Sequence, residues 1–140
     1  MMISTRGRYA LRVMVSLSRH DQSAYTPLKE IAEVEEISLK YLESIMAALS
    51  KAGLVEGAHG KGGGYRLTKA AEDYTVGEIL RVTEGSLAPT ACVENGGCPK
   101  ITRCATYPVW HKLDRLINGF LDSVSLSELM TAEPGNNYII

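Results

Sequence analysis

The chain has 140 residues, 45% of them hydrophobic, 22% charged, and a formal net charge of −1, enough for one compact domain or a small domain with an oligomerisation arm. No stretch reaches the roughly 18 to 20 uncharged apolar residues of a membrane helix, and Arg6, Arg8, Arg12 and Arg19 break up the apolar N-terminus where a signal peptide would be uninterrupted. A cytosolic protein is therefore expected, in which an odd set of three cysteines argues against a disulfide framework.

Charge is unevenly spread. Residues 1–69 hold ten Lys/Arg against seven Asp/Glu, and residues 70–140 hold five against nine. The front half is mildly basic, as a surface approaching a polyanion would be, although ordinary scatter of surface charge gives the same balance.

In "STRGRYALRVMVSLSR", residues 4–19, Ala10, Val13, Met14 and Leu17 recur at i, i+3, i+4, i+7 and predict a first amphipathic helix. A turn-like "HDQSAY" follows. "TPLKEIAEVE" predicts a second helix with Thr26 as N-cap, Pro27 at the first helical position and Leu28, Ile31 and Ala32 inward. Ser38 predicts the cap of a third helix, with Leu42, Ile45, Met46 and Leu49 as its stripe and Gly53 at its end. The tight link between the second and third helices is that of a helix-turn-helix.

"LVEGAHGKGGGYRL" reads as a hairpin, with strands at Leu54–Glu56 and Tyr65–Leu67 around a glycine-dense tip. A helix-turn-helix followed by such a hairpin is a winged helix. The expected fold is mainly α with a small β-hairpin wing, joined to a long dimerisation helix. "TVGEILRVTEG" carries the capping box Thr75–Glu78 and the inward residues Val76, Ile79 and Leu80. From about Tyr107 a long helix places Trp110, Leu113, Ile117, Phe120 and Val124 on steps of three and four, a seam expected to close a homodimer. Ser125 and Glu128 predict the capping box of a last short helix with Leu126 and Leu129, and "EPGNNYII" is a loose or docked tail. The division expected is a DNA-binding region over residues 1–70, then residues 71–140 with the cysteine loop at about 86–106 and the dimerisation helix at about 107–124.

A helix whose first turn enters the major groove presents its leading side chains to base edges. Here these are Ser38, Lys40, Tyr41 and Glu43. Lys40 suits a guanine edge or a phosphate, Glu43 the amino group of cytosine, and the two hydroxyls either target. Ser38 is expected to cap and contact at once. In the wing, His59 and Lys61 would reach phosphates or the minor groove, Gly63 lets the backbone approach, and Tyr65 and the first helix's Arg8 are further DNA-binding candidates. The glycine run lacks the spacing of either common phosphate-binding motif.

Cys92, Cys98 and Cys104 stand six residues apart in "ACVENGGCPKITRC". Thiolates are soft ligands suited to iron–sulfur clusters or zinc. Zinc sites usually contain a close C-x2-C pair, and none exists here. Gly96, Gly97 and Pro99 favour the bends of a loop wrapped round a larger object. A cluster, a zinc ion, a thiol switch and inert cysteines are the alternatives. No enzyme is expected: no nucleophile–base pair is visible, and His20, His59 and His111 fall in different elements.

"STRGRYAL", "ISLKYLESIMAALSKAGLV", "GKGGGYRL" and "TVGEILRVTEG", in that order, resemble the Rrf2 family of bacterial winged-helix transcription regulators, over essentially the whole chain. The cysteine spacing is similar to that of the family's cluster-binding, IscR-type branch. The resemblance implies a homodimer crossed through the long helix, double-stranded DNA bound at a near-palindromic operator by the third helix and wing, and an iron–sulfur cluster as signal, 2Fe–2S ahead of 4Fe–4S. The alternative is a regulator of the CymR kind, controlled by a thiol switch or a protein partner. Two residues depart from the pattern. A histidine that completes the ligand set three residues after the third cysteine is Tyr107 here, which makes Tyr107 and His111, one turn on, the candidates for a fourth ligand. An arginine that some members carry in the wing is His59 here.

Overall fold

The computed structural model describes residues 3–94 and 101–132. Cys98, the bends expected at Gly96, Gly97 and Pro99, and the tail from residue 133 lie outside the described residues.

Helix α1 spans Thr5–Ser18 and is capped by Ser4, whose hydroxyl accepts the Gly7 N–H. Helix α2 spans Leu28–Glu35 and α3 spans Leu39–Lys51. The apolar stripes meet in one core: Ala10, Val13, Met14, Leu17, Ile31, Leu42, Ile45, Met46 and Leu49 are all fully buried there. Ser38 caps α3 through the Tyr41 N–H, and Gly53, just past its end, has the positive φ of 78° that this turn requires.

The cap expected for α2 is corrected. Pro27 is the N-cap, with extended backbone, and α2 begins at Leu28. Thr26 is buried and paired instead. Its N–H donates to the Tyr65 carbonyl at 2.8 Å, and the Tyr65 N–H donates back at 2.9 Å. Long-range pairing with the wing takes the threonine that helix-capping statistics claim.

The wing consists of β1, Val55–Ala58, and β2, Gly64–Leu67, paired antiparallel with Val55 opposite Leu67 and Ala58 opposite Gly64. Both strands are longer than the sequence suggests. Gly64 is what lets β2 run against Thr26: a Cβ there would lie 2.1 Å from the Thr26 carbonyl oxygen. At the wing's base Tyr74 is fully buried. Its hydroxyl donates to the Leu54 carbonyl at 2.7 Å and accepts the N–H groups of Thr68 and Lys69 at 3.0 and 3.2 Å.

Helix α4, Val76–Glu84, packs on α1 and is capped by Thr75 through the Glu78 N–H. After a short α5, Ala91–Glu94, and a 3-10 turn at Ile101–Arg103, α6 runs from Tyr107 to Ser123 and α7 from Leu126 to Met130. Leu126 of α7 is fully buried in the same core as α1 to α3, so that core extends beyond residue 70. Val76 N–H donates to Val124 O at 2.9 Å and Leu126 N–H to Tyr74 O at 3.0 Å, which stitches the end of α6 to the start of α4.

No residue of α6 is fully buried. Val109, Leu113, Leu116 and Phe120 are 58%, 37%, 61% and 65% exposed. Spaced by four, three and four, they form one continuous open stripe. Of the residues expected in the seam, Leu113 and Phe120 lie on this stripe, and Trp110 and Ile117 are half-buried. Val124 lies past the helix end and packs within the protomer with Leu121, against Val76, Leu80 and Leu87. A strict 3.5-residue repeat drifts round a straight helix, so it mixed the inward edge with the outward face and passed over Val109 and Leu116.

Candidate DNA interface and cysteine segment

The first turns of α3 present a mixed polar and charged surface. Ser38, Lys40 and Glu43 are exposed and Tyr41 is half-buried. Tyr41 packs edge-on against Tyr9 with centroids 5.9 Å apart, and Arg12 covers the other ring at 4.8 Å while its Nε donates to Glu35 at 3.0 Å. The Tyr41 ring is therefore held on one side by Tyr9. Leu39 was not among the sequence candidates. It opens α3 and is 45% exposed, an apolar group among polar ones of the kind that contacts a thymine methyl. Its place between Ser38 and Lys40 was the available signal.

In the wing, His59 and Lys61 are exposed at the tip, whose turn uses positive φ at Gly60 and Gly62. Gly63 has no room for a side chain, because a Cβ would lie 2.4 Å from the Ala58 carbonyl oxygen. Tyr65 lies across Gly57 and packs on the core, so its part is structural at the ring. Arg66 in β2 is fixed by Glu56 at 2.7 Å and stacks on Tyr25 at 4.4 Å, which stiffens the strand that carries the tip. Arg8 is exposed on the first turn of α1 and donates to Thr5 Oγ1 at 3.1 Å. Arg6, beside it, turns away to α3 and donates to Ser44 Oγ and O at 2.8 and 3.0 Å.

Cys92 and Cys104 lie on the segment between α4 and α6. Cys92 is half-buried on α5, its Sγ 3.1 Å from Thr90 Oγ1. Cys104 is exposed just before α6. Its thiol is pulled below the ordinary thiol value by the Thr106 hydroxyl and then by the Thr106 and Tyr107 N–H groups, all of which favour the thiolate. Tyr107 and His111 share a face of α6, with rings 5.9 Å apart and tilted by 34°. Among the described residues no three His, Cys, Asp or Glu side chains converge on a common point. No helix among them is long and apolar enough to cross a membrane.

A family model described as "Iron-dependent Transcriptional regulator", Rrf2, matches residues 3–132. The HTH-type transcriptional regulator IscR of Photobacterium profundum is 41% identical over 130 residues, covering 93% of this chain and 76% of that protein. The IscR of Aliivibrio salmonicida is also 41% identical, over 93% and 77%. Among solved structures, CymR, the global cysteine regulator of B. subtilis, superposes with a TM-score of 0.77 at 34% identity, covering 93% of this chain and 96% of that one. T. potens IscR gives a TM-score of 0.71 at 36% identity, over 93% and 86%. These relatives are transcriptional regulators and not enzymes. With its three-helix head, hairpin wing and long outlying helix, the chain belongs to the Rrf2 family of winged-helix, DNA-binding transcription regulators.

Proposed function

We propose that the protein is a homodimeric regulator of a near-palindromic operator whose DNA binding is controlled by an iron–sulfur cluster held by Cys92, Cys98 and Cys104. Residues 1–70 carry the DNA contacts, and residues 71–140 the cluster loop and the dimer contact. Support for the DNA surface is the exposure of Ser38, Lys40 and Glu43 on one helix end and of His59 and Lys61 at the wing tip. Lys40, Lys61 and Arg8 neutralise phosphates. Glu43, the Tyr41 and Ser38 hydroxyls and Leu39 meet base edges. Val109, Leu113, Leu116 and Phe120 pair with the same stripe on a second protomer, a symmetric contact that sets two copies of α3 about one DNA turn apart, roughly 34 Å.

The observation that carries the cluster reading is the donor chemistry of the cysteine segment. Cys104 is exposed and biased toward the thiolate, the form that ligates iron. Cys92 stands across the segment on α5 with Cys98 between them in sequence. Such a cluster, 2Fe–2S in preference to 4Fe–4S, supplies an iron- and redox-sensitive centre. The chain has no fourth cysteine, so the remaining ligand is of another kind, with His111 and Tyr107 the nearest candidates on α6. The likeness to CymR supports a second reading, in which the same cysteines act as a thiol switch or a protein partner sets the response. One experiment separates the two. Protein purified anaerobically is assayed for iron and sulfide, and its operator binding is measured with and without the cluster. Brown protein whose affinity changes on cluster loss supports the first reading. Colourless, sulfide-free protein that binds DNA refutes it. Cluster protein with His111→Ala and with Tyr107→Phe, compared in iron content and spectrum, assigns the fourth ligand.

A further inference from the structure

We propose that Glu84, the last residue of α4, is a positioning residue for the DNA-reading helix, acting on α3 through Ser4 and Arg6. The inference rests on the reading that α3 enters the groove. It begins at α1's N-terminus, where one oxygen of the Glu84 carboxylate accepts both the Ser4 N–H at 3.0 Å and the Ser4 hydroxyl at 2.5 Å. The same hydroxyl accepts the Gly7 N–H and so closes the first turn of α1. A carboxylate is well placed there, since helix N-termini present unpaired N–H groups and a partial positive charge. The approach is possible only because residue 7 has no side chain: a Cβ on Gly7 would lie 2.3 Å from that carboxylate oxygen.

Two residues further along α1, Arg6 crosses to α3. Its guanidinium forks onto the Ser44 hydroxyl and carbonyl, and the Ser44 hydroxyl in turn donates to the Tyr41 carbonyl at 3.0 Å. Ser44 is the neighbour of Glu43 and lies one turn from Lys40. The buried stripe of Leu42, Ile45, Met46 and Leu49 holds α3 against the core by non-directional contacts. Among the described residues, the two bonds from Arg6 are the side-chain hydrogen bonds that reach α3 from another element. They fix the rotation and axial setting of the exposed face, where a small misplacement spoils bidentate contact with a base. Glu84 also stands directly before Gly85, the C-cap of α4, where the chain leaves toward Cys92. The carboxylate that sets α1 is thus at the root of the cysteine segment.

The test is the ratio of operator affinity to affinity for a scrambled duplex at fixed salt, with thermal unfolding recorded for each variant. Arg6→Lys keeps the charge but loses the fork. Glu84→Ala loses the acceptor, and Glu84→Gln keeps an acceptor oxygen. Arg6→Lys and Glu84→Ala are expected to lower the ratio at least about fivefold, with scrambled-duplex affinity and salt slope unchanged, and Glu84→Gln to retain most of it. The double variant Arg6→Lys/Glu84→Ala should be no worse than the poorer single, because both cut one chain of contacts. A mere loss of folded protein lowers both affinities together and leaves the ratio intact, which overturns the proposal; Arg6→Lys, a charge-preserving change at a half-buried residue, applies that criterion where Glu84→Ala reduces the folded fraction. Additive losses overturn it as well. If Glu43→Ala alters base ranking while Arg6→Lys and Glu84→Ala do not alter the ratio, this proposal alone fails. If none of the three has an effect, the assignment of α3 as reading helix fails with it.

Discussion

Replacing Phe120 by alanine should weaken the proposed homodimer by a predictable amount. Phe120 is 65% exposed on the open stripe of α6. Full burial of such a side chain contributes about 1.5 to 3 kcal/mol, so covering the exposed two-thirds contributes about 1 to 2 kcal/mol per protomer and about 2 to 4 kcal/mol for the symmetric pair. At about 1.4 kcal/mol per decade, the dimer dissociation constant should rise by about 30- to 700-fold. The folded protomer should be untouched, because the ring makes no contribution to either buried cluster. Sedimentation equilibrium over a dilution series reads the constant, with thermal unfolding of the monomeric fraction as control. A wild-type protein that is monomeric at micromolar concentration, or a Phe120→Ala protein with the wild-type constant, refutes the assignment of this face. Val124→Ala supplies the contrast. Its side chain packs within the protomer, so it should lower stability while leaving the monomer–dimer constant nearly unchanged.

The other outcomes concern the head. Glu43→Ala should change the ranking of single-base operator variants by about 1 to 3 kcal/mol at the contacted position, read by competition binding; an unchanged ranking removes its assigned role. Lys61→Ala should weaken binding to all duplexes alike and reduce the slope of log affinity against log salt by about 1. Tyr74→Phe leaves the Leu54 carbonyl and two N–H groups without their shared partner and should cost about 1 to 3 kcal/mol in chemical denaturation. Gly64→Ala should cost more than about 1 kcal/mol, because the added methyl meets the Thr26 backbone, and should loosen the wing ahead of the helices in hydrogen exchange.

The helical head was legible because its signals are local. Ala10, Val13, Met14 and Leu17 repeat with the helical period, and all four are buried. Ser38, Thr75 and Ser125 cap the helices they were expected to cap. Thr26 was misread because its decisive partner, Tyr65, is distant in sequence, and pairing with the wing outweighs a local cap preference. Val124, counted into the α6 seam, lies past the helix end, which a 3.5-residue count does not mark. Arg6, noted in the sequence only among the arginines that break up the apolar N-terminus, is spoken for by Ser44, and the geometry that captures it requires the packing of α1 on α3. Glu84 and Tyr74 left no sequence signal of their roles. A glutamate ending a helix and a tyrosine preceding one are commonplace until the chain folds back on them.

The stitch between Tyr74–Val76 and Val124–Leu126 has a consequence for the order in which a ribosome delivers the molecule. Leu126 completes the core into which Val13 and Leu17 pack, yet more than a hundred residues of synthesis separate them. The head cannot be finished while α6 is still emerging, and messages cut short before codon 124 yield chains that lack their last core residue. Such fragments lack a closed head and, on the proposed function, should not compete for the operator. Nonsense lesions in the arm should therefore behave as simple losses, recessive to an intact copy, whereas missense changes on the open face of α6 leave a folded head able to sit on DNA alone.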